Sequence, residues 1–334
     1  MKELVIPKEN QGQRADKFVR KYLSNAPLSF IYKIFRVKDV KVNGKRINKD
    51  YILKENDLMQ IYVTDKQLED FNKTRLVVKT NTNLDVIYED NNIIIVNKPS
   101  GLLVHGDEQE KRITLTNIVL NYLAEKGEFD VNNHVFVPAP CHRLDRNTSG
   151  LVVFSKNMES LHLLEELFKE KKQINKEYIC LVNGKLYGSN KIDAPLYKDE
   201  KTKTVSVRKI ENGGKSALTY YDVIDTFMDC SLLKVRIVTG RTHQIRVHLA
   251  YINHSILGDN KYGNFNTNKI FKENYHYENQ FLHAEKLQFL NIEGILSYLS
   301  NKTFIAPLPD KEKKIIEEIR LKGRLWFFHV QYYY

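Results

Sequence analysis

His142-Arg-Leu-Asp-Arg-Asn-Thr-Ser-Gly150 places one carboxylate, Asp145, between two arginines, Arg143 and Arg146, and runs straight into an apolar stretch over 151–154. Val152, Val153 and Phe154 suit a short buried strand, so the polar residues sit in the turn that feeds it. Loops of this kind carry chemistry when a rigid sheet positions them. An aspartate beside arginines stays ionised, which suits a nucleophile or a base. Thr148, Ser149 and Gly150 can make the tight turn that supports it. Taken alone, the same residues also describe an Asp that caps a turn and pairs with an arginine.

Two further polar clusters lie at strand ends. Asn97-Lys-Pro-Ser-Gly-Leu-Leu-Val-His-Gly106 follows an apolar strand over 93–96, and Gly240-Arg-Thr-His-Gln-Ile-Arg-Val-His248 stands between a strand over 232–238 and a helix that Thr242 can cap. The other expected elements are strands over 84–89, 178–182 and 217–224, and an amphipathic helix marked by Met158, Leu161, Leu164 and Phe168. Residues 264–280, rich in Asn, Lys and aromatics, read as a loop. There is no GxxxxGK[ST] loop, no GxGxxG, no GxSxG, and His243 and His248 are not at HExxH spacing, so nucleotide-driven, dinucleotide-dependent and zinc-hydrolytic chemistry have little support.

The charge is uneven. Of a net +11 over 334 residues, residues 14–49 carry nine: eleven Lys/Arg against Asp16 and Asp39. A separate basic module with an acidic partner follows, and nucleic acid is the commonest such partner. Ala15, Phe18, Val19, Tyr22 and Leu23 form the stripe of a short helix. Pro27 breaks it, and Ser29 is placed to cap a second helix through Ile34 and Phe35. Asn43-Gly44 between short strands is a type I′ hairpin signal, and a further strand is expected over 57–63. Residues 64–82 read as a polar linker.

Hydrophobic residues make up 42% and charged residues 28% of the chain, which excludes wholesale disorder, and its length suggests two domains. No apolar run of membrane-spanning length occurs, and the first residues, MKELVIPKENQGQR, lack a signal-peptide core. Cys141, Cys180 and Cys230 are too scattered for a disulfide framework or a CxxC metal pair, so the cytoplasm is the expected compartment.

At GQRADKFVRKYL, IYKIFRVKDVKVNGKRI and ENDLMQIYV, within 12–63, the chain resembles the S4 RNA-binding domain. That resemblance implies two helices presenting basic faces to structured RNA. HRLDRNTSGL (142–151) is similar to the signature of the RluA family of pseudouridine synthases. NKPSGLLVHG (97–106), KEYICLVNG (176–184), GRTHQIRVHL (240–249), ILGDNKYG (256–263), FLHAEKLQF (281–289) and IAPLPD (305–310) resemble that family's other blocks, in order. The resemblance covers about 84–320 and is greatest to the branch acting on ribosomal large-subunit RNA. The stretch 321–334 lies beyond the pattern, and its aromatic end carries no motif that assigns it a role.

The resemblance implies that Asp145 is the essential carboxylate, acting at ribose C1′ of a flipped-out uridine. It implies that Tyr178 stacks on the uracil and that Arg246 pairs with Asp145. It also implies that Arg143 enters the RNA stack as the base leaves. RNA contacts are expected from Arg14, Lys17, Arg20, Lys33, Arg36, Lys45 and Arg46. Lys98, His105, His142, Arg241 and His243 are read as supporting or RNA-contacting, without assigned roles.

The expected architecture is α+β. An S4-like module with the start of a linker occupies 1–75. A catalytic domain built on a mixed, largely antiparallel sheet flanked by helices and loops occupies 84–320, and a tail occupies 321–334. The expected activity is isomerisation of uridine to pseudouridine in 23S ribosomal RNA by a monomer, with no metal, organic cofactor or membrane. The alternatives are the same reaction on transfer RNA and a non-catalytic RNA-binding or ribosome-assembly factor. A retaining glycosidase would need a second placed carboxylate, for which Asp259 is the one motif candidate.

Overall fold

The computed structural model describes residues 1–24, 26–71, 83–106, 113–129, 136–170 and 173–331, with the backbone alone for Glu9 and 323–331. The stretch 72–82 of the expected linker and the side chains of the aromatic tail lie outside the described residues.

The basic N-terminal module consists of β1 (Lys2–Val5), α1 (Ala15–Tyr22), α2 (Leu28–Arg36), β2 (Val40–Val42), β3 (Lys45–Arg46), β4 (Leu58–Ile61) and α3 (Asp65–Phe71). Its four strands run in the order β1-β4-β2-β3, all antiparallel. Both helices turn their apolar stripes inward, so Phe18, Val19, Ile31, Ile34 and Phe35 meet Val40, Met59 and Ile61 in one core. Asn43 and Gly44 have φ of 50° and 74°, the left-handed pair that a tight turn between β2 and β3 requires.

Three local expectations differ here. The second helix starts at Leu28 with Pro27 as its N-cap and no side-chain cap, because the ring of Pro27 holds its φ at −57° and sets the helix entry before Ser29. The expected strand over 57–63 is shorter, because the buried Asp57 serves the adjoining turns. Its carboxylate accepts from the Asn43 amide and the Lys54 N–H at 2.8 and 2.9 Å. Part of the expected linker is helical. Thr64-Asp-Lys-Gln67 is a capping box, with the Gln67 N–H donating to Thr64 Oγ1 and the Thr64 N–H to Gln67 Oε1. Leu68 and Phe71 then pack on the module core, with the Phe30 and Phe71 rings 4.9 Å apart.

The larger part contains β5 (Val86–Glu89), β6 (Ile93–Lys98), α4 (Leu115–Glu125), β7 (Ala139–Pro140), β8 (Ser149–Ser155), α5 (Met158–Glu170), β9 (Ile174–Asn183), β10 (Ser189–Asp193), β11 (Leu196–Lys198), β12 (Val205–Val207), β13 (Leu218–Thr226), β14 (Cys230–Ile237), α6 (Gln244–Tyr251), α7 (Phe265–Tyr275), β15 (Leu282–Phe289), β16 (Thr303–Ile305) and α8 (Asp310–Gln331). Among the described residues the main sheet runs β10-β13-β14-β9-β15-β8-β6-β5, with β16 beside β15 and β7 beside β8. Every pairing is antiparallel except β15 with β8. The architecture is therefore α+β on a large mixed sheet. No helix among the described residues is long and apolar enough to cross a membrane.

The apolar runs of β6 and β8 follow from burial on both faces. Ile94, Val96, Val152 and Phe154 pack under α4, whereas Ile93, Ile95, Leu151 and Val153 pack under α5. At the parallel junction Gly150 lies opposite Ala284 with φ of 109°. A Cβ there would sit 2.2 Å from the Ala284 carbonyl oxygen, so only glycine lets the two strands meet.

The stretch 264–280, expected as a loop, contains α7. Asn264 caps it by accepting from the Thr267 N–H at 3.0 Å, and Phe271, 5% exposed, anchors it in the main core. Tertiary burial of that one aromatic outweighs a polar composition.

Candidate active site

Asp145 stands in the turn between β7 and β8, and several contacts fix that turn. The Thr148 N–H closes it onto the Asp145 carbonyl at 3.1 Å. Ser100 Oγ donates to the Asn147 carbonyl at 2.9 Å, and Gln280 Nε2 donates to Thr148 Oγ1 at 3.1 Å. Lys98 is fully buried at the end of β6 and donates from Nζ to the carbonyls of Pro99, Leu102 and Arg146 at 2.9, 2.7 and 2.9 Å. Burial pushes its ammonium down to about 7, with the charge of Asp145 pulling the other way. Lys98→Met is expected to leave these carbonyls without their donor and to destabilise the protein by about 3 kcal/mol or more, measured by urea unfolding. A loss below about 1 kcal/mol would show that the turn does not depend on Lys98.

Arg246 enters from the first turn of α6. Its Nη1 donates to Asp145 Oδ2 at 2.8 Å, across 101 positions of sequence. Its other side is held in a fork: Nε donates to Asp259 Oδ2 at 2.7 Å and Nη2 to Asp259 Oδ1 at 2.8 Å. Asp259 is 1% exposed and also accepts the backbone N–H groups of Lys261 and Tyr262. Despite its burial, those donors hold the Asp259 carboxyl below its ordinary range. Asp259 is thus the carboxylate that aims the arginine, and nothing local in the sequence marks it for that task.

The turn before α6 differs from expectation. His243, not Thr242, is the N-cap, in the left-handed region at φ 52°, and no side chain caps the helix. The buried Gln244 ties the turn instead. It accepts from the Arg241 N–H and from Thr239 Oγ1, and donates to the Leu218 carbonyl and Thr219 Oγ1.

These groups face a cavity of about 360 Å³ lined by Asp145, Tyr178, Arg246, His243, Arg143, His142 and Leu282 among others. Tyr178, on β9, is 7% exposed, and burial together with the nearby Asp145 charge pushes its hydroxyl upward, so it stays protonated. Arg143 is exposed at the cavity. His142 lines the cavity with its Nε2 already engaged: it accepts from the Val153 N–H at 3.1 Å, its ring lies 4.4 Å from that of Phe168, and burial pushes it down to about 3. The structure therefore brings Asp145, Tyr178, Arg246 and Arg143 to one cavity. One Asp145 oxygen is held by a guanidinium, an arrangement suited to a carboxylate that attacks or accepts a proton.

Of the expected RNA contacts, Lys17, Arg20, Lys33, Arg36, Lys45 and Arg46 are exposed on the N-terminal module. Arg14 is different: its Nε and Nη2 donate to the two oxygens of Asp16 at 3.0 and 2.8 Å, so its fork is already engaged.

Comparison with known proteins agrees with the geometry. A family model described as RNA pseudouridylate synthase matches residues 92–251, which include the Asp145 turn, β9 and α6. An RNA pseudouridine synthase of Mycoplasma capricolum is 35% identical over 312 residues, 91% of this chain and 97% of the relative. The ribosomal large subunit pseudouridine synthase C of Vibrio parahaemolyticus is 33% identical over 322 residues, 94% and 95% of the two chains. The human RNA pseudouridylate synthase domain containing 4 has the same fold, with a TM-score of 0.55 at 24% identity over 71% of this chain and 93% of that one. By this similarity, which runs through the turn, strand and helix that meet at the cavity, the chain belongs to the RNA pseudouridine synthase family and is an isomerase.

Proposed function

We propose that this enzyme converts specific uridines of 23S ribosomal RNA to pseudouridine, with Asp145 as nucleophile on a flipped-out nucleotide. The observation that carries the reading is the division of Asp145: Arg246 holds Oδ2 at 2.8 Å, and the carboxylate lines the same cavity as Tyr178. The reaction breaks N1–C1′ and forms C5–C1′. N1 gains a proton, C5 loses one, and no atom is added, so no energy source or co-reactant is required. An Asp145 oxygen bonds C1′ as the uracil departs and is released when C5 attacks. Tyr178 covers the detached base, and Arg143 fills the gap in the RNA stack. Stacking of this kind offsets part of the flipping cost, by roughly 1–3 kcal/mol per base.

The ribosomal substrate is supported by the large-subunit name of the Vibrio relative. Mapping pseudouridine in RNA from cells with and without the protein tests it. Sites lost from 23S RNA are the expected result, and sites lost from transfer RNA alone would move the substrate there.

The N-terminal module, with its two helices and basic hairpin, acts in this reading as an S4-like RNA-binding domain. Replacing Lys17, Arg20, Arg36 and Lys45 together by alanine is expected to weaken RNA binding and to lower the slope of log K against log salt by up to about three. Identical slopes for the variant and the wild type would place the RNA elsewhere.

A further inference from the structure

His243 is the residue beside Asp145 to which the reaction assigns nothing. Three observations single it out. It occupies the left-handed region at φ 52°, an uncommon backbone conformation for a residue other than glycine. Its Nδ1 is 2.7 Å from Tyr262 Oη, and its Nε2 is 3.7 Å from Asp145 Oδ1, the oxygen opposite the one that Arg246 holds. The Tyr262 ring in turn stands 5.1 Å from the Arg246 guanidinium carbon, so one tyrosine braces both residues that flank the carboxylate.

One tautomer makes fuller use of these hydrogen bonds. Tyr262 Oη accepts the Val205 N–H at 3.1 Å, and by donating its own proton to His243 Nδ1, 2.7 Å away, it uses both its acceptor and its donor. Nδ1 is then an acceptor, and in the neutral ring the proton sits on Nε2, facing Asp145. We propose that His243 is a positioning residue for Asp145: braced by Tyr262, it offers Nε2–H to the open oxygen Oδ1 and orients that oxygen for attack on the nucleotide. The inference rests on the reading of Asp145 as nucleophile. The separation is longer than a hydrogen bond in the free enzyme, and a movement of roughly 0.8 Å brings it to ordinary length when RNA closes the site.

Burial, Arg246 and Lys261 lower the tendency of His243 to take up a second proton, against Asp145 and Asp259, which raise it. A neutral donor orients the open oxygen without adding a second cation to the Arg246 pair, which would stabilise the carboxylate further and make it a weaker nucleophile.

The test measures kcat and KM for pseudouridine formation in His243→Ala, His243→Gln and Tyr262→Phe, with circular dichroism and RNA affinity as controls. His243→Ala is expected to lower kcat roughly 10²-fold with little change in KM. His243→Gln, whose amide still donates, should recover most of that loss. Tyr262→Phe leaves His243 itself in place and should lower kcat roughly three- to tenfold. If kcat of His243→Ala stays within about twofold of wild type, or if the whole loss falls on KM, the proposal is wrong and His243 is an RNA contact. Failure of glutamine to recover any activity in a folded variant would also overturn it. Asp145→Asn separates the two readings. If it retains turnover, the nucleophile reading fails and this one with it. If it is inactive while His243→Ala is normal, only this inference fails.

Discussion

Asp145→Asn is expected to abolish pseudouridine formation, by at least about 10³-fold in kcat, while RNA affinity stays within a few-fold. The substitution keeps the size of the side chain and an oxygen for the Arg246 Nη1 contact at 2.8 Å, so the turn held by Lys98 and Ser100 should survive. What it removes is the charge. An amide is a poor nucleophile toward C1′, and it does not bear the developing positive charge at the sugar as a carboxylate does. Release of tritium from C5-labelled uridine in transcribed RNA measures the outcome directly. Turnover within tenfold of wild type, with the variant folded, would remove Asp145 from the covalent step.

Arg246→Ala should lose stability as well as turnover. Asp259, 1% exposed in the intact protein, would lose its two guanidinium donors, and breaking a buried pair of this kind costs roughly 3–5 kcal/mol. Asp145 would lose its orienting contact at the same time. Arg246→Lys keeps the charge, but a single ammonium does not reproduce a fork on Asp259 together with a third bond to Asp145, so intermediate values of both quantities are expected. Pairing Arg246→Ala with Asp259→Asn separates the two effects. The neutral amide should restore part of the stability and none of the turnover. Urea unfolding and single-turnover kinetics read the two independently. A double variant as active as wild type would mean that the arginine serves the fold alone.

Much of the fold was legible in the sequence because its signals are local. The stripe from Ala15 to Leu23, the Asn43-Gly44 turn and the apolar runs of β6 and β8 each act within a few residues. The structure keeps them as helix, hairpin and strands. The capping box at Thr64–Gln67 was equally local, but the polar composition of 64–82 obscured it. The helix Phe265–Tyr275 was not legible in this way. Its order depends on Phe271 being buried in the main core among residues distant in sequence, whereas Asn and Lys dominate its neighbourhood.

The site divides along the same line. By itself the sequence determined the candidate residues and their loops: a lone carboxylate at 145 between arginines and, through the family resemblance, a tyrosine at 178 in an apolar strand and an arginine at 246 after a strand end. Only the tertiary structure decided how they are held. Asp259 fixes two guanidinium nitrogens of Arg246 and leaves the third for Asp145, Lys98 gathers three carbonyls around the turn, and Tyr262 Oη stands 2.7 Å from His243 Nδ1. These partners come from separate strand ends, helices and loops. Hydrophobic periodicity records which face of an element is buried, but it carries no record of which polar group on another element satisfies a buried donor or charge.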